Sequence, residues 1–163
     1  MIHVLFVCLG NICRSPMAEA VMRHQVKEAG LSDRIRVDSA GTGDWHVGQA
    51  PHIGTQRQLN RMKIEHKGIQ ARQVGRDDWA AFDYIIAMDS QNRKDMLPLL
   101  GQSANLGGAG SGTNKVYLFT DFVPDAKSKD VPDPYYTGNF EEVYALVEEG
   151  CRNLLSTIRM QLE

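Results

Sequence analysis

The first fifteen residues constrain the fold of this chain more than any other stretch, because an apolar run leads directly into a cysteine, a short loop and an arginine. Residues 2–7 have the length and β-branched content of a strand buried on both faces of a sheet. Gly10 and Asn11 tolerate a positive φ, and Pro16 suits the first turn of a helix. The predicted order is strand, tight loop and helix, an arrangement that directs backbone N–H groups at one point and makes an anion site.

Strand and helix patterns alternate along the rest of the chain. The periodicity predicts helices at residues 15–29, 51–62, 90–100 and 140–162, and further strands at 34–37, 84–88 and 116–119. Residues 38–42 are expected to form a loop, and Pro98 to end its helix early. The alternation predicts an α/β fold: a single doubly wound domain of residues 1–163, with a four-stranded, mostly parallel sheet and helices on both faces. Cys8, at the end of the first strand, then lies where such folds bind phosphate groups.

The glycine-rich stretch at residues 101–114 is predicted to be a flexible loop. Gly107 and Gly112 have the spacing of a nucleotide-binding loop, but Thr113 stands where that motif needs a lysine. The stretch also follows a helix and precedes a strand, the reverse of the required order. We therefore expect no nucleotide site here.

Composition narrows the class of protein. The net charge of −2 implies no general affinity for nucleic acid. The longest apolar run is too short to span a membrane, so no membrane partner and a cytoplasmic location are expected. Three cysteines argue against a disulfide framework. The five histidines lack metal-ligand spacing, and neither a metal nor a cofactor is expected.

Cys8 and Arg14 suggest a nucleophile beside an anion clamp. A free cysteine thiol titrates at about 8.5, but loop N–H groups, a helix N-terminus and Arg14 would favour the thiolate. The planar fork of arginine suits two phosphate oxygens. The alternative is that Cys8 is an ordinary core cysteine, although a core thiol needs neither the Gly-Asn turn nor the arginine.

The spacing Cys8-x5-Arg14 followed by Ser15, within Val-Cys-Leu-Gly-Asn-Ile-Cys-Arg-Ser, resembles the signature of the low-molecular-weight protein tyrosine phosphatase family. The stretch Val-Pro-Asp-Pro-Tyr-Tyr at residues 131–136 is similar to that family's C-terminal motif. Further similar segments lie at residues 38–42 with Trp45, at 71–73 and at 82–89. The resemblance therefore covers nearly the whole chain.

The resemblance implies a phosphatase that hydrolyses phosphotyrosine in proteins through a phosphocysteine intermediate and releases inorganic phosphate. Cys8 would be the nucleophile, Arg14 the phosphate clamp, and Asp133 first the general acid and then the base. The departing phenolic oxygen needs such an acid, although an isolated Asp-Pro pair is ordinary turn chemistry. The implied substrate-binding residues are Leu9, Gly10, Asn11, Ile12, Cys13, Ser15, Trp45, Tyr135 and Tyr136. A monomer or weak dimer is expected.

Some roles stay open in the sequence. Ser15 matches the family serine that donates to the sulfur, or it only caps the helix. Asn11 supplies left-handed geometry, pins the loop through its amide, or does both; Ser39 would support it. Where the family usually has a supporting histidine, this chain has Ile69, and His66 lies three residues upstream.

The other two cysteines have separate predicted roles. As a hypothesis, Cys13 is a resolving thiol that captures an oxidised Cys8 as a disulfide. The alternative is that it simply packs in the loop. Cys151 is expected to be inert core.

Three other functions compete with the tyrosine phosphatase. An arsenate reductase of this fold would need resolving cysteines in the middle of the chain, and residues 14–150 contain none. A protein-arginine phosphatase carries threonine where Ile12 stands. A phosphate- or phosphopeptide-binding module would not need Asp133.

Overall fold

A four-stranded, fully parallel sheet lies at the centre of the computed structural model, which describes residues 1–103 and 115–163. The strands are β1 (Ile2–Cys8), β2 (Ile35–Gly41), β3 (Tyr84–Ala87) and β4 (Val116–Leu118), in the order β2-β1-β3-β4. The chain therefore adds strands on one side of β1 and then on the other. This change of direction places the end of β1 in the crevice where doubly wound folds bind ligands. The predicted fold class is confirmed.

Helices cover both faces of this sheet. They are α1 (Arg14–Glu28), α2 (Ile53–Arg61), α3 (Asp78–Ala81), α4 (Ser90–Leu99), a 3₁₀ helix (Phe119–Phe122), α5 (Pro134–Thr137) and α6 (Phe140–Leu162). The larger core lies between the sheet and helices α1 and α6, and the smaller core lies on the opposite face under α4. Within the described ranges, no helix combines the length and apolar character needed to cross a membrane.

The predicted apolar stripe of α6 lies in the larger core. Its buried members are Val143, Val147, Cys151, Leu154 and Ile158. Cys151 is fully buried, and burial, with a smaller effect of Glu148, raises the pKa of its thiol well above the ordinary value. This is the inert core position that the sequence predicts.

The structure corrects two predictions about local structure and adds short helices that had no prediction. A loop was expected at residues 38–42, but β2 continues to Gly41. Ser39 and Gly41 extend the strand because they pair with Phe6 and Cys8 of β1. Pro98 lies inside α4 and does not end it early, since a proline in the last turn removes only one helical hydrogen bond. The four-residue helices were not predicted, because one turn is too short to show a period.

The predicted loop at residues 101–114 falls largely outside the described residues. Only its first three positions are described, and α4 ends just before them, with Gly101 in a left-handed conformation.

Candidate active site

The loop between β1 and α1 is held by its carbonyl groups. Cys8 and Leu9 accept hydrogen bonds from the N–H groups of Thr42 and Gly43, each at 2.9 Å, and Ile12 accepts from His52 at 2.7 Å. The backbone N–H groups of residues 10–13 have no backbone acceptor in the described part of the chain. The loop therefore keeps its donors available for an anion.

Asn11 and Gly41 explain how the chain makes so tight a loop. Asn11 adopts φ = 55°, the left-handed conformation that asparagine tolerates well. The loop then passes so close to the end of β2 that a Cβ atom on Gly41 would lie only 2.8 Å from the carbonyl oxygen of Leu9. A side chain at position 41 would push the loop out of place.

Behind the loop, a hydrogen bond of 2.9 Å joins the Cys8 Sγ and the Ser15 Oγ. The Ser15 hydroxyl accepts from Asn11 Nδ2 at 2.8 Å, so its own proton is available for the sulfur. Ser15 makes no hydrogen bond as the cap of α1, which the structure caps at Cys13 without a side-chain contact. Of the two open roles for Ser15, the geometry thus favours that of a hydrogen-bond donor to the Cys8 sulfur.

The Asn11 amide is fixed on both sides. Its Oδ1 accepts from the backbone N–H of Arg72 at 2.9 Å, and its Nδ2 also donates to Ser39 Oγ at 2.9 Å. Asn11 therefore combines left-handed geometry with a pinning role, so both open readings hold. Ser39 in turn donates to Glu19 Oε1 at 2.6 Å.

Among the described residues, no histidine hydrogen-bonds to Asn11. Ile69 is buried in the larger core, and His66 bonds to Asn60 at 2.9 Å on the exposed surface. The Arg72 N–H and the Ser39–Glu19 pair hold Asn11 instead.

Arg14 is buried against three acceptors. Its Nη1 donates to Asp89 Oδ2 at 2.8 Å and to the Val131 carbonyl at 3.0 Å, and its Nη2 lies 3.4 Å from Asp133 Oδ2. The Nε is buried and has no hydrogen-bond partner among the residues described. The guanidinium is thus held in one orientation at the base of the pocket, with a donor still available.

Asp133 lies at the N-cap of α5, where its Oδ1 accepts from the Tyr135 N–H at 3.1 Å. Pro134 fits the first turn of this helix, as proline usually does. The one-turn helix therefore places a carboxylate and two tyrosines, Tyr135 and Tyr136, on the same side of the loop.

These parts enclose a cavity of about 260 Å³. Its lining consists of Cys8, Leu9, Gly10, Ile12, Cys13, Arg14, Trp45, His46, Asp133, Tyr135 and Tyr136. Trp45, Tyr135 and Tyr136 are exposed and form apolar walls at its mouth. Of the residues predicted from sequence, Asn11, Ser15 and Ser39 do not line the cavity but lie buried behind it.

Sequence reasoning missed three residues of the site. Asp89 follows β3 directly, and the rule that ligands bind at strand ends could have drawn attention to it. Glu19 was detectable as an acid on the buried stripe of α1. His46 had no signal, because its place beside Gly10 depends on the fold of the 42–52 segment.

Cys13 lies in the cavity wall as a protonated thiol. Burial is the largest cause that raises its pKa to about 12, and the charges of Asp133 and Cys8 add to the effect. All three cysteines are free. Across residues 1–103 and 115–163, His, Cys, Asp and Glu form no group of three that could hold a metal ion.

Comparisons with known proteins agree with this geometry. The chain matches the family described as "Low molecular weight phosphotyrosine protein phosphatase" over residues 3–163. It is 50% identical over 161 residues to the low molecular weight protein-tyrosine-phosphatase YfkJ of Bacillus subtilis, covering 99% of this chain and 98% of that protein. It is 46% identical to PtpA of Staphylococcus epidermidis, covering 97% of this chain and 94% of that protein.

The solved structures give the same result. The crystal structure of YfkJ has a TM-score of 0.91 at 48% identity and covers 100% of this chain and 98% of that chain. A Drosophila arginine phosphatase has a TM-score of 0.81 at 33% identity and covers 96% of this chain and 97% of that chain. Fold, site and relatives together define a hydrolase, specifically a phosphatase. The chain belongs to the low-molecular-weight phosphotyrosine protein phosphatase family.

Proposed function

We propose that this phosphatase hydrolyses phosphotyrosine in proteins through a phosphocysteine intermediate. The observation that carries the proposal is the meeting of Cys8, Arg14 and Asp133 in one cavity with aromatic walls. These three groups are a nucleophile, an oxyanion clamp and an acid, which are the parts that phosphoryl transfer to a thiol requires.

In the first step, the Cys8 thiolate attacks phosphorus and the bond from phosphorus to the phenolic oxygen breaks. The Asp133 carboxyl gives its proton to that oxygen, so the tyrosine leaves as a neutral phenol. The N–H groups of residues 10–13 and the Arg14 guanidinium hold the phosphoryl oxygens, where charge is spread in the transition state. Ser15 donates a hydrogen bond to the sulfur and so stabilises the thiolate.

In the second step, water attacks phosphorus on the opposite side from the sulfur. The Asp133 carboxylate takes the proton from the water, the S–P bond breaks, and inorganic phosphate is released together with the thiolate. The cycle restores both residues and requires no cofactor.

The aryl side chain of the substrate is accommodated by the walls of the cavity. Trp45, Tyr135 and Tyr136 offer ring faces and edges to a phenol ring, which stacks favourably on aromatic side chains. A serine phosphate would leave these walls without a partner. We therefore expect phosphotyrosine to be preferred over phosphoserine.

Phosphoarginine is the second candidate substrate, because a relative of the same fold is an arginine phosphatase. Ile12 lines the cavity in this chain, where the arginine-specific relatives carry threonine by the sequence resemblance. An isoleucine offers an apolar contact and no hydroxyl for a guanidinium. This favours the tyrosyl substrate.

Peptides that carry phosphotyrosine, phosphoserine or phosphoarginine in one sequence context test the proposal. Rapid quenching of the phosphotyrosine reaction should trap one phosphoryl group per chain, bound to sulfur. Cys8→Ser should form none, whereas Cys151→Ser, which changes a cysteine buried in α6, should behave as wild type. Faster turnover of the phosphoarginine peptide would reject the tyrosyl specificity. If quenching traps no phosphoryl group on wild-type protein, the phosphocysteine intermediate is rejected.

A further inference from the structure

Glu19 is a buried carboxylate to which the proposed reaction assigns no task. It lies on α1, is 2% exposed and does not line the cavity. Its Oε1 accepts a hydrogen bond of 2.6 Å from Ser39, and its Oε2 pairs with Arg23. Acids this deeply buried are uncommon unless they are paired, and here one of the two partners leads directly to the loop around Cys8.

Hydrogen-bond donors and acceptors fix the direction of this connection. An ionised Glu19 can only accept, so the Ser39 hydroxyl must donate to it. Ser39 Oγ is then free to accept from Asn11 Nδ2 at 2.9 Å. This orients the amide so that its second N–H reaches Ser15 Oγ at 2.8 Å.

The last link reaches the nucleophile. Because Ser15 accepts from Asn11, its one proton is left for the Cys8 sulfur, 2.9 Å away, which is closer than the Ala40 carbonyl oxygen at 3.5 Å. Four hydrogen bonds thus join the Glu19 carboxylate to the Cys8 sulfur, and the Asn11 NH₂ group at their centre donates towards both ends. The negative charge of Glu19 strengthens the bond from Ser39 and fixes Ser39 as the acceptor for Asn11, so the charge acts on the loop by orienting the Asn11 amide.

We propose that Glu19 is a positioning residue whose negative charge, relayed through Ser39 and Asn11, sets the geometry of the loop around Cys8, so that protonation of Glu19 lowers catalytic activity. This inference rests on the proposed function and adds a proton-linked control to it.

The surroundings of Glu19 allow this protonation near neutral pH. Burial is the largest influence and raises the pKa of Glu19 to about 7, while the hydrogen bond from Ser39 and the charge of Arg23 oppose it. Asp38 on β2 raises the pKa further, and Arg72, which follows α2, lowers it. Titration therefore falls in a range where a phosphatase can be assayed.

Protonation changes the first link of the relay. A neutral carboxyl group accepts a weaker hydrogen bond from Ser39, and it loses the ion pair with Arg23. The neutral acid is also a donor, so the Ser39 hydroxyl is no longer forced to donate to it. The Asn11 amide and the loop it supports then gain freedom, and small displacements of a reacting group lower the rate strongly.

Glu19→Gln tests the proposal, because glutamine keeps the shape of a protonated glutamate at every pH. The kcat of wild type and variant is measured from pH 5 to pH 8.5. The kcat of wild type is divided by that of the variant at each pH, because this ratio cancels the ionisations that the two proteins share. We expect a ratio near one at pH 5, rising to roughly tenfold at pH 8.5. A residue with a merely structural role would give the same ratio at every pH, and this outcome would overturn the proposal.

Two further variants on α1 serve as controls. Glu28→Gln changes an exposed carboxylate of the same helix and should leave the ratio at one throughout. Arg23→Gln removes the ion pair of Glu19 and should move the midpoint of the wild-type profile to higher pH. If Glu19→Gln fails to fold, this upward shift remains a test, and a midpoint that stays in place would contradict the proposal.

NMR separates this inference from the proposed function. In wild type, the side-chain amide signals of Asn11 should shift with the midpoint of the ¹³C-labelled Glu19 carboxyl, whatever the substrate. In Glu19→Gln the Asn11 shift should disappear. If the Asn11 amide signals do not shift with the titration of Glu19, the relay is refuted. If they do shift but the protein is inactive on phosphotyrosine, only the proposed function is refuted.

Discussion

The Arg14 guanidinium lies 2.8 Å from the Asp89 carboxylate, and this ion pair joins the start of α1 to the start of α4. Asp89 uses one oxygen for Arg14 and the other to accept from the Asn92 N–H at 2.6 Å, as the N-cap of α4. A single carboxylate therefore caps a helix and orients the guanidinium that we propose as the anion clamp. Arg14 is 3% exposed, so this partner also offsets the burial of its charge.

Asp89→Asn separates these two tasks. Asparagine still caps α4, because its carbonyl oxygen accepts from Asn92. Its NH₂ group cannot accept from Arg14, so the guanidinium loses its orienting partner. We expect kcat/KM on an aryl phosphate to fall by roughly tenfold to a hundredfold, the scale of misplacing a reacting group, while circular dichroism shows an intact fold.

Asp95→Asn is the matched control for this change. Asp95 lies on the same helix, is exposed and, among the residues that the structure describes, bonds only to Gln91, four residues earlier. The activity of the Asp95→Asn variant should equal that of wild type. Equal activity in Asp89→Asn would show that Arg14 needs no carboxylate to keep its place.

Arg14→Lys tests the clamp itself. The guanidinium satisfies Asp89 and Val131 through one nitrogen while the other lies near Asp133, and it keeps the Nε for a further acceptor. An ammonium group is a point charge and cannot reproduce this fork. We expect kcat to fall by roughly 10³-fold or more, the scale seen when an arginine that stabilises phosphoryl transfer is lost. Arg152→Lys, at an exposed i,i+4 pair on α6, should have no effect on kcat.

Glu19 should also make stability depend on pH. Its pKa rises from an ordinary 4.5 to about 7 on folding, so the native state binds a proton that the unfolded state releases in this window. The stabilising contribution is therefore complete below pH 4.5 and is lost as the pH rises through 7. A shift of this size corresponds to about 3 kcal/mol as an order of magnitude.

Urea unfolding of wild type and Glu19→Gln at pH 5 and pH 8 measures this effect. The free energy of unfolding of the variant, relative to wild type, should increase by roughly 2 to 3 kcal/mol between the two values. Glu28→Gln should show no such change. In this proposal an ionised Glu19 weakens the fold while it orders the loop, a trade between stability and activity that is common at active sites.

The sequence predicts the layout of this site better than its supports. Cys8 and Arg14 are six positions apart on one loop, so local geometry alone brings them together. Asp133 joins them only because the 131–136 stretch folds over Arg14, a contact across 119 positions that the motif resemblance implied and spacing did not. Asp89 and Glu19 escaped prediction because a helix cap and an acid on a helix are ordinary features until the partner is known.

If Cys13 is a resolving thiol, we expect it to capture an oxidised Cys8 only slowly at neutral pH. A sulfenic acid condenses with a thiol to form a disulfide and water, and the thiolate is the reacting form. Since the pKa of Cys13 is raised to about 12, mainly by burial, its thiolate fraction increases about tenfold for each pH unit in the assay range. After peroxide and then thiol, recovery of wild-type activity should improve from pH 7 to pH 9. In Cys13→Ser the recovery should be the same at both values, and equal behaviour of the two proteins would assign Cys13 a packing role.

The role proposed for Asp133 predicts a dependence on the leaving group. Asp133→Asn keeps the cap of α5, because the asparagine carbonyl can still accept from the Tyr135 N–H. It removes the transferable proton, so turnover of phosphotyrosine should fall by roughly 10²- to 10⁴-fold. A much more acidic phenol leaves as its phenolate without protonation. The rate of the phosphorylation step should therefore fall less for its ester.

The burst phase must be observed directly, because in the proposed mechanism Asp133 also activates water in the second step, and that loss would dominate steady-state rates. Rapid-quench measurements with phenols of graded pKa isolate the first step. The logarithm of the burst rate should fall more steeply with phenol pKa in Asp133→Asn than in wild type. Asp130→Asn is the control: backbone hydrogen bonding from Ser90 lowers the pKa of Asp130, which suits it poorly to donate a proton, and its slope should match wild type. If the two slopes for Asp133→Asn and wild type coincide, the proton comes from another group.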